Sequence, residues 1–172
     1  MKLTKNFSLE ELTRSDTAER KGIDNSPTAE HIHNLAALCE NVLQPLRDKL
    51  KHSIRVTSGY RSEKLNKAIG GASRNGKPTS EHCYGKAADI WIESWPSNNL
   101  MDDIDRNKRV DVYDCEYLVE LVRILETEGN VLTGGASAYR WISTHGPFVH
   151  IDIRGSRASW PTARTLVSDP VI

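Results

Sequence analysis

Apolar residues at Ile32, Leu35, Leu38, Val42 and Leu46 recur at three- and four-residue intervals across residues 28–50, the period of a helix with one buried face. Pro45 falls inside that pattern and brings no N–H to a helix ladder, so the helix is predicted to kink or divide there. Upstream, Ser8-Leu9-Glu10-Glu11 has the form of a capping box, Ser with Glu three positions on, and predicts a short helix. Residues 13–27 are polar and show no period. The period then changes. Ile54-Arg55-Val56-Thr57-Ser58 alternates and is rich in β-branched residues, which predicts a strand ended by Gly59. Residues 62–69 predict a short helix closed by Gly70-Gly71, and residues 74–79 a loop marked by Asn75-Gly76 and Lys77-Pro78. A second strand is predicted over residues 87–92. Residues 93–114 are polar and rich in Asp, and read as an irregular surface insertion. Leu118, Leu121, Val122 and Leu125 give residues 115–128 one apolar helical face. Two strands, 139–143 and 148–153, joined by Thr144-His145-Gly146-Pro147, complete the pattern. Helices first, then strands broken by helices, predict an α+β domain with a small, mostly antiparallel sheet flanked by helices.

At 172 residues the chain is the size of one domain, 1–172, and long enough to bury a core without staples. Lys plus Arg and Asp plus Glu are 23 each. That balance argues against a nucleic-acid partner bound by phosphate neutralisation, and against a polybasic membrane-surface protein. Cys39, Cys83 and Cys115 are sparse, odd in number and in no tight motif, so they read as buried thiols and not as a disulfide framework. No apolar run of about 20 residues predicts a membrane span. The start, MKLTKNFSLEEL, shows no signal peptide, so synthesis in the cytoplasm is expected, with release by lysis or a holin if the target is a cell wall. A monomer is expected.

Three side chains of metal-ligand type fall in interpretable places. His82 lies in a loop, Asp89 at the start of a strand, and His150 mid-strand between Val149 and Ile151. An imidazole in so apolar a strand needs a partner. Two His and one carboxylate with an open fourth position is a common catalytic zinc arrangement. Spacing alone leaves open that each is an ordinary core or surface residue.

The surrounding words narrow the choice. Ser58-Gly59-Tyr60-Arg61-Ser62, Leu65-Asn66, Ile69-Gly70-Gly71, Ser80-Glu81-His82-Cys83-Tyr84-Gly85-Lys86-Ala87-Ala88-Asp89 and Phe148-Val149-His150-Ile151-Asp152 occur in that order. With Phe7-Ser8-Leu9-Glu10-Glu11, Ser15-Asp16, Asn25-Ser26-Pro27 and Leu43-Gln44-Pro45-Leu46-Arg47, the chain resembles the zinc D-Ala-D-Ala metallopeptidases, a group that also includes the hedgehog fold and phage endolysins. The most specific word is S-x-H-x-x-G-x-A-x-D. The resemblance covers nearly the whole chain outside residues 93–114 and the last dozen. It implies one Zn2+ held by His82, Asp89 and His150, a peptidoglycan peptide as substrate, and Arg61 on the substrate carbonyl as oxyanion stabiliser. The alternative for Arg61 is a surface ion pair, with Glu63 as a candidate partner. Ser80 either binds substrate, orients the His82 loop, or caps a turn. Asp152 points to the same sheet face as His150, as a partner to it or a solvated carboxylate.

The chain departs from the family pattern at one position. The best-known members carry an acidic general base three residues before the last His, and Pro147 stands there. His145, in the preceding turn, is the expected replacement, with a side chain suited to proton transfer near neutral pH. Three functions follow as expectations: a peptidase cutting stem peptides at D-Ala-D-Ala or an L,D bond, a zinc-holding module of the same fold without catalysis, or a cytoplasmic dipeptidase for free D-Ala-D-Ala.

Overall fold

The computed structural model describes residues 1–93, 101–140 and 146–160. Its centre is a four-stranded, wholly antiparallel sheet of β1 (Ser53–Ser58), β4 (Ala87–Glu93), β6 (Phe148–Asp152) and β5 (Ala136–Tyr139), in that spatial order. The α+β expectation holds. Side chains alternate across a strand, and here the two faces have different jobs. Ile54, Ala88, Ile90, Ile92, Val149 and Ile151 are buried in the core. Asp89, His150 and Asp152 occupy the intervening positions and look the other way.

Helices α3 (Ala29–Leu38), α4 (Gln44–Leu50) and α6 (Val112–Thr127) supply the other half of the core through Leu35, Leu38, Leu46, Leu118, Val122 and Leu125. Each fully buried Leu contributes roughly 1.5–3 kcal/mol by leaving water. The long helix predicted over 28–50 is divided by a π-helical turn, Cys39–Leu43, just ahead of Pro45. The Gln44 N–H reaches back five residues to the Cys39 carbonyl. Pro45 has no N–H for the Asn41 carbonyl, and the Leu132 N–H takes that acceptor at 3.1 Å.

Short elements complete the frame. Helix α1 (Leu9–Thr13) is capped by Ser8, and α2 (Asp16–Lys21) lies in the stretch the pattern left without structure. Six residues with one buried side chain, Ala18, give no apolar stripe to detect. Helix α5 (Glu63–Ala68) is capped by Ser62. The loop expected at 74–79 is a small hairpin, β2 (Ser73–Arg74) with β3 (Lys77–Pro78). Asn75 and Gly76, with φ of 52° and 76°, form the two-residue turn that favours such residues. Helix α6 starts three residues earlier than predicted because Asp111 and Asp114 form a capping box.

Strand β5 also begins earlier, at Ala136. The Gly134-Gly135-Ala136-Ser137-Ala138 run has no β-branched residue to signal a strand, and its two glycines pass close to Asp152. A Cβ on Gly134 would lie 1.6 Å from the Asp152 carbonyl oxygen, and one on Gly135 2.3 Å from its carboxylate. The remainder of the predicted 139–143 strand beyond Arg140, and His145 with it, lies outside the described residues. Of residues 93–114, the described part between 101 and 111 holds no helix or strand, and Met101 enters the core with its sulfur accepting the Ile92 N–H. Arg123 of α6 bonds the carbonyls of Gly134 at 2.8 Å and Ala158 at 2.7 Å, tying the helix to β5 and to the segment that runs beside it. All three cysteines are buried free thiols; burial pushes Cys39 up to about 12.

Candidate metal centre

Strands β4 and β6 are the central pair of the sheet, and their register sets Asp89 directly opposite His150. A 3₁₀ turn, Glu81–Tyr84, delivers His82 to the same point. Gly85 ends that turn at φ 69°. A Cβ there would meet the His31 carbonyl oxygen at 2.6 Å, so glycine answers both the left-handed backbone and the close approach.

His82 Nε2 lies 3.2 Å from Asp89 Oδ1 and 3.2 Å from His150 Nδ1, and His150 Nδ1 lies 3.0 Å from Asp89 Oδ1. Four-coordinate zinc with N and O ligands at about 2.0–2.1 Å has ligand–ligand edges of roughly 3.3–3.4 Å. The triangle is close to one face of that tetrahedron.

Proton positions follow from the outer partners. His82 Nδ1 is 2.7 Å from the Gly59 carbonyl oxygen, which can only accept, so Nδ1 carries the proton. His150 Nε2 is 3.1 Å from Asp152 Oδ2. Burial opposes ionisation of Asp152, but its bonds from His150, Arg154 and the Gly135 N–H hold the carboxyl well below the usual range, so Nε2 is the donor. The nitrogens left facing each other, with Asp89 Oδ1, present lone pairs to one point. Such a set needs a cation between its members, a metal ion or a proton. Burial presses the His82 pKa below its ordinary value. For His150 burial acts downward too, but the bonds to Asp152 and Asp89 outweigh it and raise the value. Burial works against ionisation of Asp89 as well, and the two histidines overcome it and hold its carboxyl far below the usual range.

Among the described residues one other group of ligand-type side chains converges, Asp103, Asp105 and Asp114. Its carboxylates are engaged by backbone N–H groups: Ile104 on Asp114 at 2.8 Å, Lys108 on Asp103 at 2.8 Å, Asn107 on Asp105 at 2.9 Å. In the His82 group, by contrast, the ring nitrogens that face each other receive no N–H from outside the group.

Arg61 follows the end of β1. Gly59 lets the chain pass α1, where a Cβ would lie 2.2 Å from the Leu12 carbonyl oxygen, and the Arg61 N–H bonds the His82 carbonyl at 3.2 Å. The guanidinium Nη2 stands 3.6 Å from Asp89 Oδ2, with the side chain 14% exposed. Its Nε is buried and has no hydrogen-bond partner among the described residues. Arg61 therefore sits against Asp89, on the far side of the carboxylate from the histidines, and not on Glu63.

A buried two-histidine, one-carboxylate group beside an arginine with a spare donor, reached by the S-x-H-x-x-G-x-A-x-D turn, is a hydrolase arrangement, and residues 5–118 match the family described as Peptidase M15. The chain belongs to the peptidase M15 family. The match takes in Arg61, His82 and Asp89 and ends before His150, which joins them through the β4–β6 register. A comparison with curated proteins finds no match. In this M15 chain Ser80 precedes the 3₁₀ turn, is half-buried, and makes no capping bond with its side chain. Two contributors to the site had no sequence signal, Gly59 through its carbonyl and Trp160, whose ring centroid lies 5.1 Å from that of His150.

Proposed function

We propose that this chain is a zinc-dependent peptidase that hydrolyses peptidoglycan stem peptides, with His82, Asp89 and His150 as the metal ligands. The observation that carries the reading is the converging triangle of lone pairs, each His fixed in its tautomer by an outer partner. When bound, the metal acidifies a water and polarises a carbonyl. The chain's own residues do the rest. Gly59 and Asp152 orient the imidazoles. Arg61 holds the substrate carbonyl and meets the negative charge that develops on its oxygen, a contribution on the order of 10²–10³ in rate for one such donor. Ser80 lies at the entrance to the His82 turn, where its hydroxyl contacts substrate. His145 carries the proton to the leaving amine, an assignment that stands on its place in the sequence.

A second reading is a zinc-holding module without turnover, and Pro147, where the family's acid would stand, favours it. Both are tested by zinc analysis and by muropeptide hydrolysis with and without a chelator. The proposal expects one zinc per chain, chelator-sensitive cleavage, and loss of zinc in His82→Ala and His150→Ala. Stoichiometric zinc in both variants would place the metal elsewhere. Zinc-loaded protein that leaves muropeptides intact selects the second reading.

A further inference from the structure

Strand β5 borders the metal centre, and its register puts Ser137 opposite His150 and Tyr139 opposite Phe148, on the face that carries the ligands. The Tyr139 ring stacks on Phe148, centroids 4.5 Å apart and planes 6° from parallel. Its hydroxyl is 2.6 Å from the Trp160 indole nitrogen. An indole N–H only donates, so the phenol oxygen is the acceptor in that bond and its own proton is left to point elsewhere. Tyr139 gives that proton to none of the described residues.

Trp160 is itself held. Its backbone N–H bonds Ser137 Oγ at 2.9 Å, its ring meets His150, and the Arg154 guanidinium lies 5.4 Å from its centroid. The phenol is thus fixed at two points, by stacking and by the indole, in a wall beside His150. Burial and the Asp89 carboxylate hold its pKa above the ordinary tyrosine value, against the Trp160 bond and the Arg61 charge, so it stays a donor.

We infer that Tyr139 is a further catalytic residue, which donates its phenolic O–H to the oxygen of the scissile carbonyl as that oxygen gains negative charge, as a second donor beside Arg61. Trp160 is the positioning residue that aims it. The inference rests on the peptidase reading. No bond is made or broken by the phenol, and its proton stays on its oxygen.

The test compares wild type, Tyr139→Phe and Trp160→Phe on muropeptide, with zinc content and melting temperature measured alongside. Tyr139→Phe keeps the stacking ring and removes the hydroxyl, both the donor and the acceptor of the Trp160 bond, and Trp160→Phe controls for the loss of that bond. It is expected to retain zinc and fold, with kcat down on the order of 10²-fold and KM within about threefold, the signature of a contact made in the transition state. Trp160→Phe is expected to lower kcat by less, with KM again little changed. An active wild type with unaltered kcat in Tyr139→Phe overturns the assignment alone, as does a loss confined to KM or to zinc content. An inactive wild type overturns the peptidase reading and this assignment with it.

Discussion

Replacing Asp152 by Asn separates the outer support of the proposed metal centre from its proposed ligands. The Asp152 side chain has no exposed surface, and it accepts from His150 Nε2 at 3.1 Å, the Gly135 N–H at 2.8 Å, and the Arg154 backbone and Nε at 3.1 and 2.9 Å. Asn has the same shape but turns one oxygen into a donor. With the amide nitrogen toward His150, two donors face each other, and the imidazole can relieve that only by moving its proton to Nδ1, inside the ligand triangle. With the amide turned over, the nitrogen faces the Gly135 and Arg154 N–H groups. Either way at least one buried donor is left unpaired, about 1–3 kcal/mol, and the charge of the Arg154 bond is lost. A total near 3 kcal/mol corresponds to a fall of roughly 6–12 °C in Tm for a chain of this length. Zinc affinity should drop about 10–100-fold, the usual effect of removing an outer carboxylate from a ligating His. Chelator competition gives the affinity, and melting curves of metal-free and zinc-loaded protein give the stability. Wild-type zinc affinity in Asp152→Asn would refute the tautomer argument. In metal-free protein the depressed Asp152 pKa has a further sign: its contribution is present above the unfolded value of about 3.9 and is lost as pH falls through the lower folded value. The gap between wild type and Asp152→Asn should therefore narrow in acid.

Arg61→Lys should retain zinc and fold while kcat falls on the order of 10²-fold or more, since an ammonium cannot reproduce the planar fork; steady-state kinetics on muropeptide with zinc analysis decides it. His145→Ala should keep full zinc and lose roughly 10²-fold or more in turnover, and full activity would move the proton transfer to another group. Leu118→Ala, at a fully buried position of α6, should cost about 2–5 kcal/mol in denaturant unfolding, and a value under about 1 kcal/mol would contradict the core assignment.

The α3–α4 helix pair, strands β1, β4 and β6 and helix α6 were legible because each couples a long or strict apolar period to a recognisable stop. Pro45 even marked the division of the helix, although the partner of the Asn41 carbonyl is the N–H of Leu132, far along the chain, a contact that no local pattern contains. Helix α2 and the start of β5 were not legible. The first buries one Ala, and the second is built of small residues and follows Gly134 and Gly135, where Asp152 leaves no room for a side chain. At the site, His82, Asp89 and His150 stood out as side chains within words of sequence. Gly59 contributes a carbonyl, which every residue has, and Tyr139 gains its place from a strand register set by the fold.

The partners of His82 and His150 belong to the protein, a backbone carbonyl and a buried carboxylate, and Asp89 and His150 ride on the two innermost strands. The outer half of the candidate site is thus supplied by the chain itself, while the facing lone pairs of the inner half call for a cation. On the proposed reading, an ion that binds this arrangement and not the unfolded chain would add to the stability of the native form. Zinc supply would then set both how much of the chain is folded and how much of it can work.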